Sequence, residues 1–185
     1  MLSTTTLNLA DFLAQPETKP ASEFIDGRVF QKPMPQGKYS QLQSALITTL
    51  NLVIKPQKLG CAFPELRCVV GDRAIVPDVV VLTWAQIPLD EDGEIANLIP
   101  LAPAWTIEIL SPDQSHTRVT KNILYCLKHG TEMGWLIDPA EKTVFVYRPK
   151  QEIEVFEDLE DVLPMPEWVE GVTVTVEALF DWLKF

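Results

Sequence analysis

The sequence predicts an α/β fold, a mixed β-sheet flanked by α-helices, and three observations predict it. Five short runs, residues 62–70, 75–82, 105–110, 133–137 and 143–147, are apolar, carry β-branched Val, Ile or Thr, and have the length of strands. Two longer stretches, 40–55 and 117–129, repeat apolar residues at spacings of three and four, the period of a helix with one buried face. Helical stretches before and between the strands favour a sheet whose faces are covered.

In chain order, residues 9–15 suit one short helix ended by Pro16, followed by polar loop to Ala21. Residues 23–30 place apolar side chains on both sides of Asp26-Gly27, a dipeptide that tolerates positive φ in a tight hairpin turn, so two short strands are expected. After the Pro-rich segment 33–37, Ser40 can cap a helix that carries Leu42, Ala45, Leu46, Leu50 and Val53 and ends before Pro56. Gly71-Asp72 supplies a turn between 62–70 and 75–82, read as adjacent antiparallel strands. Residues 87–103 lack periodicity and suit an exposed loop. The strand at 105–110 leads to the helix at 117–129, whose Val119, Ile123, Leu124 and Leu127 are helically spaced and which Gly130 can stop. Two strands then follow around Asp138-Pro139, with a further strand at 153–156 and a closing helix at 176–183. The 185 residues and 20.8 kDa suit one core, divided as a lead-in, 1–22, and a single domain, 23–185.

Composition excludes several classes of function. Residues 1–13 have no basic n-region and meet Asp11 before any long apolar run, so no signal peptide is expected and the expected location is the cytoplasm. The most apolar stretch, 74–89, is interrupted by Pro77, Asp78 and Pro88 and is too short for a membrane span. Cys61, Cys68 and Cys126 show neither CxxC spacing nor clustered histidines, which points to buried free thiols instead of disulfides or a zinc site. Phosphate-cradling glycine motifs are absent, so no nucleotide cofactor is implied. Ser111 lacks a G-x-S-x-G elbow, and with His116 and His129 as the two histidines a serine-hydrolase triad has little support.

A net charge of −11 opposes general attraction to nucleic acid, but the charge is uneven. From Arg28 to Arg73 seven Lys or Arg face Glu65 and Asp72, whereas between Asp138 and Asp181 twelve acids face Lys142, Arg148 and Lys150. A nucleic-acid surface therefore belongs to the first half or to residues 118–128, with a merely solvated face as the alternative.

Two carboxylates carry the chemistry. Asp78 lies in Ile75-Val-Pro-Asp-Val-Val-Val-Leu and Glu108 in Trp105-Thr-Ile-Glu-Ile-Leu, apolar strands in which an unpaired charge is costly to bury. On neighbouring strands they would converge as hard oxygen ligands for Mg²⁺ or Mn²⁺. The alternative is a pair of edge-strand residues facing water or capping turns.

These residues resemble the PD-(D/E)XK superfamily of restriction-endonuclease-like proteins: Pro77-Asp78 as its PD, and Glu108-Ile109-Leu110 as its tripeptide without the lysine. More closely the chain resembles the Uma-two family of endonuclease-like proteins. Five segments carry that resemblance in the family's order: Glu23-Phe-Ile-Asp-Gly, Val76-Pro-Asp-Val-Val-Val, Glu108-Ile-Leu-Ser-Pro, residues 121–125 and Gly134-Trp-Leu-Ile-Asp-Pro. The resemblance implies a restriction-endonuclease-like mixed sheet flanked by helices. It also implies a divalent metal, Mg²⁺ or Mn²⁺, held by Asp78, Glu108 and the backbone carbonyl of Ile109, with Glu23 completing the shell directly or through water. Such a metal polarises a phosphodiester, lowers the pKa of a bound water and stabilises the leaving oxygen.

Leu110 departs from the superfamily pattern, because it cannot supply the fixed cation that the lysine provides. The resemblance points to Lys121 as the substitute, a catalytic residue near the scissile phosphate, with Tyr125 one helical turn later; a solvated helix surface is the alternative. Tyr39 stands where many family members carry a histidine. Glu65 is a further ligand or, as the plainer reading, half of a cross-strand pair; Gln41 and Gln43 have no claim beyond helix surface. The implied function is a Mg²⁺-dependent endonuclease hydrolysing phosphodiester bonds in DNA. The alternatives are a catalytically inactive nuclease-fold module for nucleic-acid or protein binding, and a structural protein whose carboxylates pair with Lys121 or Arg118. A homodimer is the expectation by analogy of fold.

Overall fold

The computed structural model of the chain describes residues 7–112 and 114–184. The start of the lead-in, 1–6, and residues 113 and 185 of the expected domain lie outside the described residues. Asn8 caps the first helix, α1 (Leu9–Leu13), by accepting the Asp11 N–H. Its buried Phe12 stacks on Phe24 with ring centroids 5.6 Å apart. The expected hairpin is β1 (Ser22–Ile25) and β2 (Arg28–Gln31), with Asp26 and Gly27 at φ 51° and 76°. A turn with both central residues left-handed matches the twist of the strands it joins.

Helix α2 (Gly37–Ile54) begins three residues before Ser40, after Gln36, which makes no side-chain cap bond, so Ser40 is not the cap. The helix buries Leu42, Leu46, Leu50 and Ile54.

The two long strands expected at 62–70 and 75–82 are each broken. Glu65, at φ 45°, separates β3 (Gly60–Pro64) from β4 (Arg67–Val70). Val76-Pro77-Asp78 separates β5 (Arg73–Ile75) from β6 (Val79–Thr83). Proline has no N–H to offer a ladder, so pairing stops there. The expected antiparallel pairing holds on both sides of the breaks, β4 with β5 and β3 with β6, but the two halves belong to different sheets.

The loop at 87–103 contributes a two-residue strand, β7 (Leu98–Ile99), parallel to β4. There follow β8 (Trp105–Ile109), α3 (His116–Lys128), β9 (Met133–Asp138), β10 (Thr143–Tyr147), β11 (Glu154–Phe156) and α4 (Val176–Asp181). Instead of one mixed sheet there are two, ordered β2-β1-β5-β4-β7 and β11-β10-β9-β8-β6-β3. Each is mixed: β4–β7 and β8–β9 are parallel pairs, the latter joined across α3.

Period-two alternation divides the six-stranded sheet. One face of Val79, Val81, Trp105, Ile107, Trp135 and Ile137 packs with α2 and α4. The other, with Val80, Leu82 and Leu136, meets the five-stranded sheet and α3. Glu108 belongs to this second face, out of phase with Ile107 and Ile109. The thiols of Cys61, Cys68 and Cys126 are free and buried, and burial pushes that of Cys68 up to about 12. Among the described residues no helix is long and apolar enough to cross a membrane.

Gly134 sits where α3 crosses β9, and a Cβ there would lie 2.2 Å from Ile123 Cγ2. Ile123 is itself buried, so helix and strand would have to part. Gly134→Ala should therefore lower the free energy of unfolding by about 1–3 kcal/mol, the usual cost of overpacking, read as a lower urea midpoint with unchanged slope.

Candidate metal centre

The break at Val76-Pro77-Asp78 turns Asp78 out of both ladders and beside β8. Asp78 Oδ2 accepts the Ile109 backbone N–H at 2.7 Å, and its own carbonyl accepts from Gln43 Nε2 at 2.6 Å and from the Glu65 N–H at 3.2 Å. A β-strand, a helix and a turn thus hold one residue. Glu108 stands on an inner strand of the larger sheet with its side chain 6% exposed.

Lys32, two residues past Phe30 and on the same side of β2, reaches into the site with 8% of its side chain exposed. Its Nζ lies 2.6 Å from Asp78 Oδ1, 2.7 Å from the Val76 carbonyl and 3.7 Å from Glu108 Oε2. Glu23, on the facing strand of the same hairpin, accepts the Val76 N–H through Oε1 at 2.9 Å and the Asn122 amide through Oε2 at 3.5 Å.

Three carboxylates thus share one ammonium in a place largely cleared of water. Burial drives the Glu108 carboxyl well above the ordinary carboxylate range; Lys32 pulls it down, and the charges of Asp78 and Glu23 push it further up. Glu23 is raised mainly by burial, against the lowering effect of Lys32. Burial alone would depress Lys32, but Asp78, Glu108 and Glu23 raise its ammonium well above the ordinary value.

The sequence-predicted residues Asp78, Glu108, Ile109 and Glu23 are brought together here. Lys121 is not: it is exposed on α3 and lines a separate cavity with Arg28, Arg73 and Arg118. Tyr125, one helical turn after Lys121, donates its hydroxyl to Asp72 at 2.6 Å, at the β4–β5 turn. Glu65 is exposed at the rim of the cleft beside Asp78, and Tyr39 lines the same cleft. His116 opens α3, with its ring edge-on to Phe145.

Sequence reasoning missed Lys32, although its phase was available: Glu23 pairs with Phe30, and Lys32 continues the alternation from Phe30. Gln43, read as helix surface, proves to anchor the Asp78 carbonyl; no sequence signal distinguishes it from its neighbours. Ser111 Oγ is buried without a hydrogen-bond partner among the described residues and lines the cleft with Asp78 and Ile109.

Hard oxygens with a surplus of negative charge suit Mg²⁺ or Mn²⁺. Among the described residues no group of three His, Cys, Asp or Glu side chains is placed to ligate one ion. The donor set that fits is the Asp78–Glu108 pair completed by backbone oxygen and water, and Mg²⁺ commonly keeps several of its waters. Asp78 and Ile109 line a cavity of about 40 Å³ with Lys32, Gln43 and Ser111, room for a few waters, and Glu108 lines the neighbouring cavity, which shares Lys32.

Residues 9–177 match the model of the Uma2 family, described as putative restriction endonuclease. A protein from Anabaena variabilis ATCC 29413, whose crystal structure presents it as a putative nuclease belonging to DUF820, is 57% identical in sequence. That likeness covers 96% of this chain and 99% of the other at a TM-score of 0.93. No match is found among the curated proteins.

The raised carboxyls set the sign of a pH effect. Groups whose folded pKa lies above the ordinary 4.5 contribute stability that is full below that value and is lost as the pH rises through their folded pKa. Lys32, raised above 10.5, contributes stability that is lost only at pH above that value. In chelator, the contribution of Glu108 and Glu23 should be smaller at about pH 8 than at about pH 5. Glu108→Gln should raise the melting temperature at the higher pH, by about 2–4 °C per kcal/mol relieved. Calorimetry showing this variant melting below the wild type there would mean that Glu108 is fully compensated as a carboxylate.

Proposed function

Because this chain belongs to the Uma2 family, putative restriction endonucleases, we propose that it is a divalent-metal-dependent endonuclease hydrolysing phosphodiester bonds in DNA. The observation that carries the reading is charge: among the described residues three acids, Asp78, Glu108 and Glu23, gather about two cations, with Lys32 beside Asp78 and Glu108 and Arg118 acting on Glu23. A divalent cation offsets the surplus, which a structural ion pair alone would leave in place.

Asp78 and Glu108 would hold the ion, with the Ile109 carbonyl beside them and Glu23 acting directly or through water; Asp78 Oδ1 would exchange its bond to Lys32 for the metal. Mg²⁺ or Mn²⁺, when bound, supplies Lewis-acid polarisation of the phosphodiester and stabilisation of the leaving oxygen. The chain's own groups do the rest. Ile109 N–H and Gln43 hold Asp78 in one orientation, so no reorganisation is needed as charge develops. Lys32 supplies the fixed cation that Leu110 lacks, arriving from a different strand. Ser111 lines the same cleft, and its buried hydroxyl has no hydrogen-bond partner among the described residues.

Leu110 is the observation that favours the second reading, a catalytically inactive nuclease-fold module that binds nucleic acid or protein. The test is cleavage of supercoiled plasmid with Mg²⁺ or Mn²⁺ by wild type, Asp78→Ala, Glu108→Ala and Lys32→Met, purified identically. The two carboxylate variants should lose cleavage and also the metal-induced rise in melting temperature, which corresponds to about 2.7 kcal/mol at one hundred times Kd. Lys32→Met should keep that rise and lose about 10²–10³-fold in rate, the cost of one preorganised electrostatic group. No cleavage by the wild type, or equal cleavage by all four, selects the inactive module. If Lys121→Ala matched Lys32→Met in rate, with metal affinity spared and DNA binding intact, Lys121 would hold the catalytic role.

A further inference from the structure

Three neighbouring cavities share lining residues. The one beside Asp78 shares Lys32, Pro33 and Gln114 with a second cavity of about 230 Å³, which Glu23 and Glu108 also line. The second shares Phe30, Ser115, Arg118 and Asn122 with a third, of about 410 Å³. The third is basic: among the described residues, Arg28, Arg73, Arg118 and Lys121 line it against one acid, Asp26.

These cations come from three elements, and two of them, Arg73 and Arg118, are held by aromatic rings. Arg28 opens β2, and Arg73 opens β5 with 13% of its side chain exposed. The Arg73 guanidinium lies over the Tyr125 ring, 3.9 Å from its centroid, and its Nη2 binds Asp26 at 2.7 Å. Its Nε is buried without a partner among the described residues, a donor still to be satisfied. Arg118 lies 4.5 Å over the Phe30 ring and lines both the second and third cavities. Lys121 follows Arg118 by three residues and so shares its face of α3. Among the described residues no side chain caps the start of α3, where Ser115 makes no side-chain cap bond, so the helix terminus adds to the positive potential.

We propose that this basic cavity is a second phosphate subsite, which seats a backbone phosphate of the same polynucleotide strand beyond the phosphate at Lys32. The inference rests on the nuclease reading for the strand's presence. Lys32, Arg118 and Lys121 then mark successive points along its path, and Lys121 acts in binding, away from the reacting atoms. In a chain of net charge −11 this is where a polyanion gains attraction, so the strand is drawn along the cleft and held off the acidic remainder.

The test is fluorescence anisotropy of a labelled DNA duplex at several NaCl concentrations, with Ca²⁺ replacing Mg²⁺ to suppress turnover, for wild type, Arg118→Gln/Lys121→Gln and Lys150→Gln. Each phosphate contact contributes about 0.9 to the slope of log K against log salt, so the double variant should lose about two units of slope. It should also bind at least about tenfold more weakly at low salt, with the melting temperature and its rise with Mg²⁺ unchanged. Lys150→Gln, in an exposed turn after β10, should behave as wild type. A double variant that keeps the slope of a cleaving wild type overturns this inference alone. Lost slope in a protein that never cleaves upholds the subsite and removes the nuclease reading. A wild type that binds no duplex overturns both. Inorganic phosphate that displaces the duplex at its own low concentration would identify a free-phosphate site and overturn the assignment to a strand.

Discussion

A proline and a left-handed residue, facing one another across a hairpin, organise the molecule. Glu65 and Val76-Pro77-Asp78 stand at the same level of the paired segments, and the Glu65 N–H donates to the Asp78 carbonyl across the gap. Below them β4 and β5 complete one sheet; above them β3 and β6 complete the other. Were the hairpin continuous, Asp78 would take an ordinary place in the ladder and its side chain would point where pleat alternation sent it. Because the ladder stops, Asp78 is free to accept the Ile109 N–H from β8, and the junction of the sheets becomes the place where carboxylates meet.

The cost of that junction is electrostatic. A carboxylate moved from water to a protein interior is penalised by several kcal/mol unless it is paired. Lys32 pairs most closely with Asp78, which remains 15% exposed at its side chain, and is more distant from the deeply buried Glu108. The ammonium therefore relieves the carboxylate that least needs relief. Glu108 keeps most of its desolvation penalty and also the repulsion of Asp78 and Glu23, which together push its carboxyl above the ordinary range. Tension of this kind has no purpose in a scaffold, where a hydrophobic residue of like volume would pack as well. It suits a site whose balancing charge arrives from solution.

How much of this was legible in the sequence depended on whether the signal was local. Hairpin β1–β2 was legible because Asp26-Gly27 adopts the left-handed turn that its residues favour. Asp78 and Glu108 stood out because a charge inside a β-branched run is a visible contradiction. The division into two sheets was not legible: Pro77 announced a break in pairing, but nothing in the composition says that a chain resuming after a break joins another sheet. Lys32 escaped for the same reason, since its partners are forty-six and seventy-six residues away and the Pro-rich segment after it reads as loop. Lys121 attracted attention by its family position and its distance in sequence from Glu108, but the helix rotation that sends it toward Arg73 is set by the packing of Val119 and Ile123 on Leu136.

The same packing explains how an acidic protein presents a basic channel. Val119, Asn122, Ile123 and Cys126 are the buried positions of α3, so the rotation that buries them carries Arg118 and Lys121 to the side facing the β1–β2 hairpin. Arg28 and Arg73 reach that side because β1, which lies between β2 and β5, brings both strands to it. The acids of 138–181 lie on later elements, from the end of β9 onward. At physiological salt the Debye length is about 8 Å, so charges farther than that from the cavity are largely screened, whereas the cations lining it are not. Net charge and local charge thus differ in sign, and the positive charge gathers where Arg28, Arg73, Arg118 and Lys121 line one cavity.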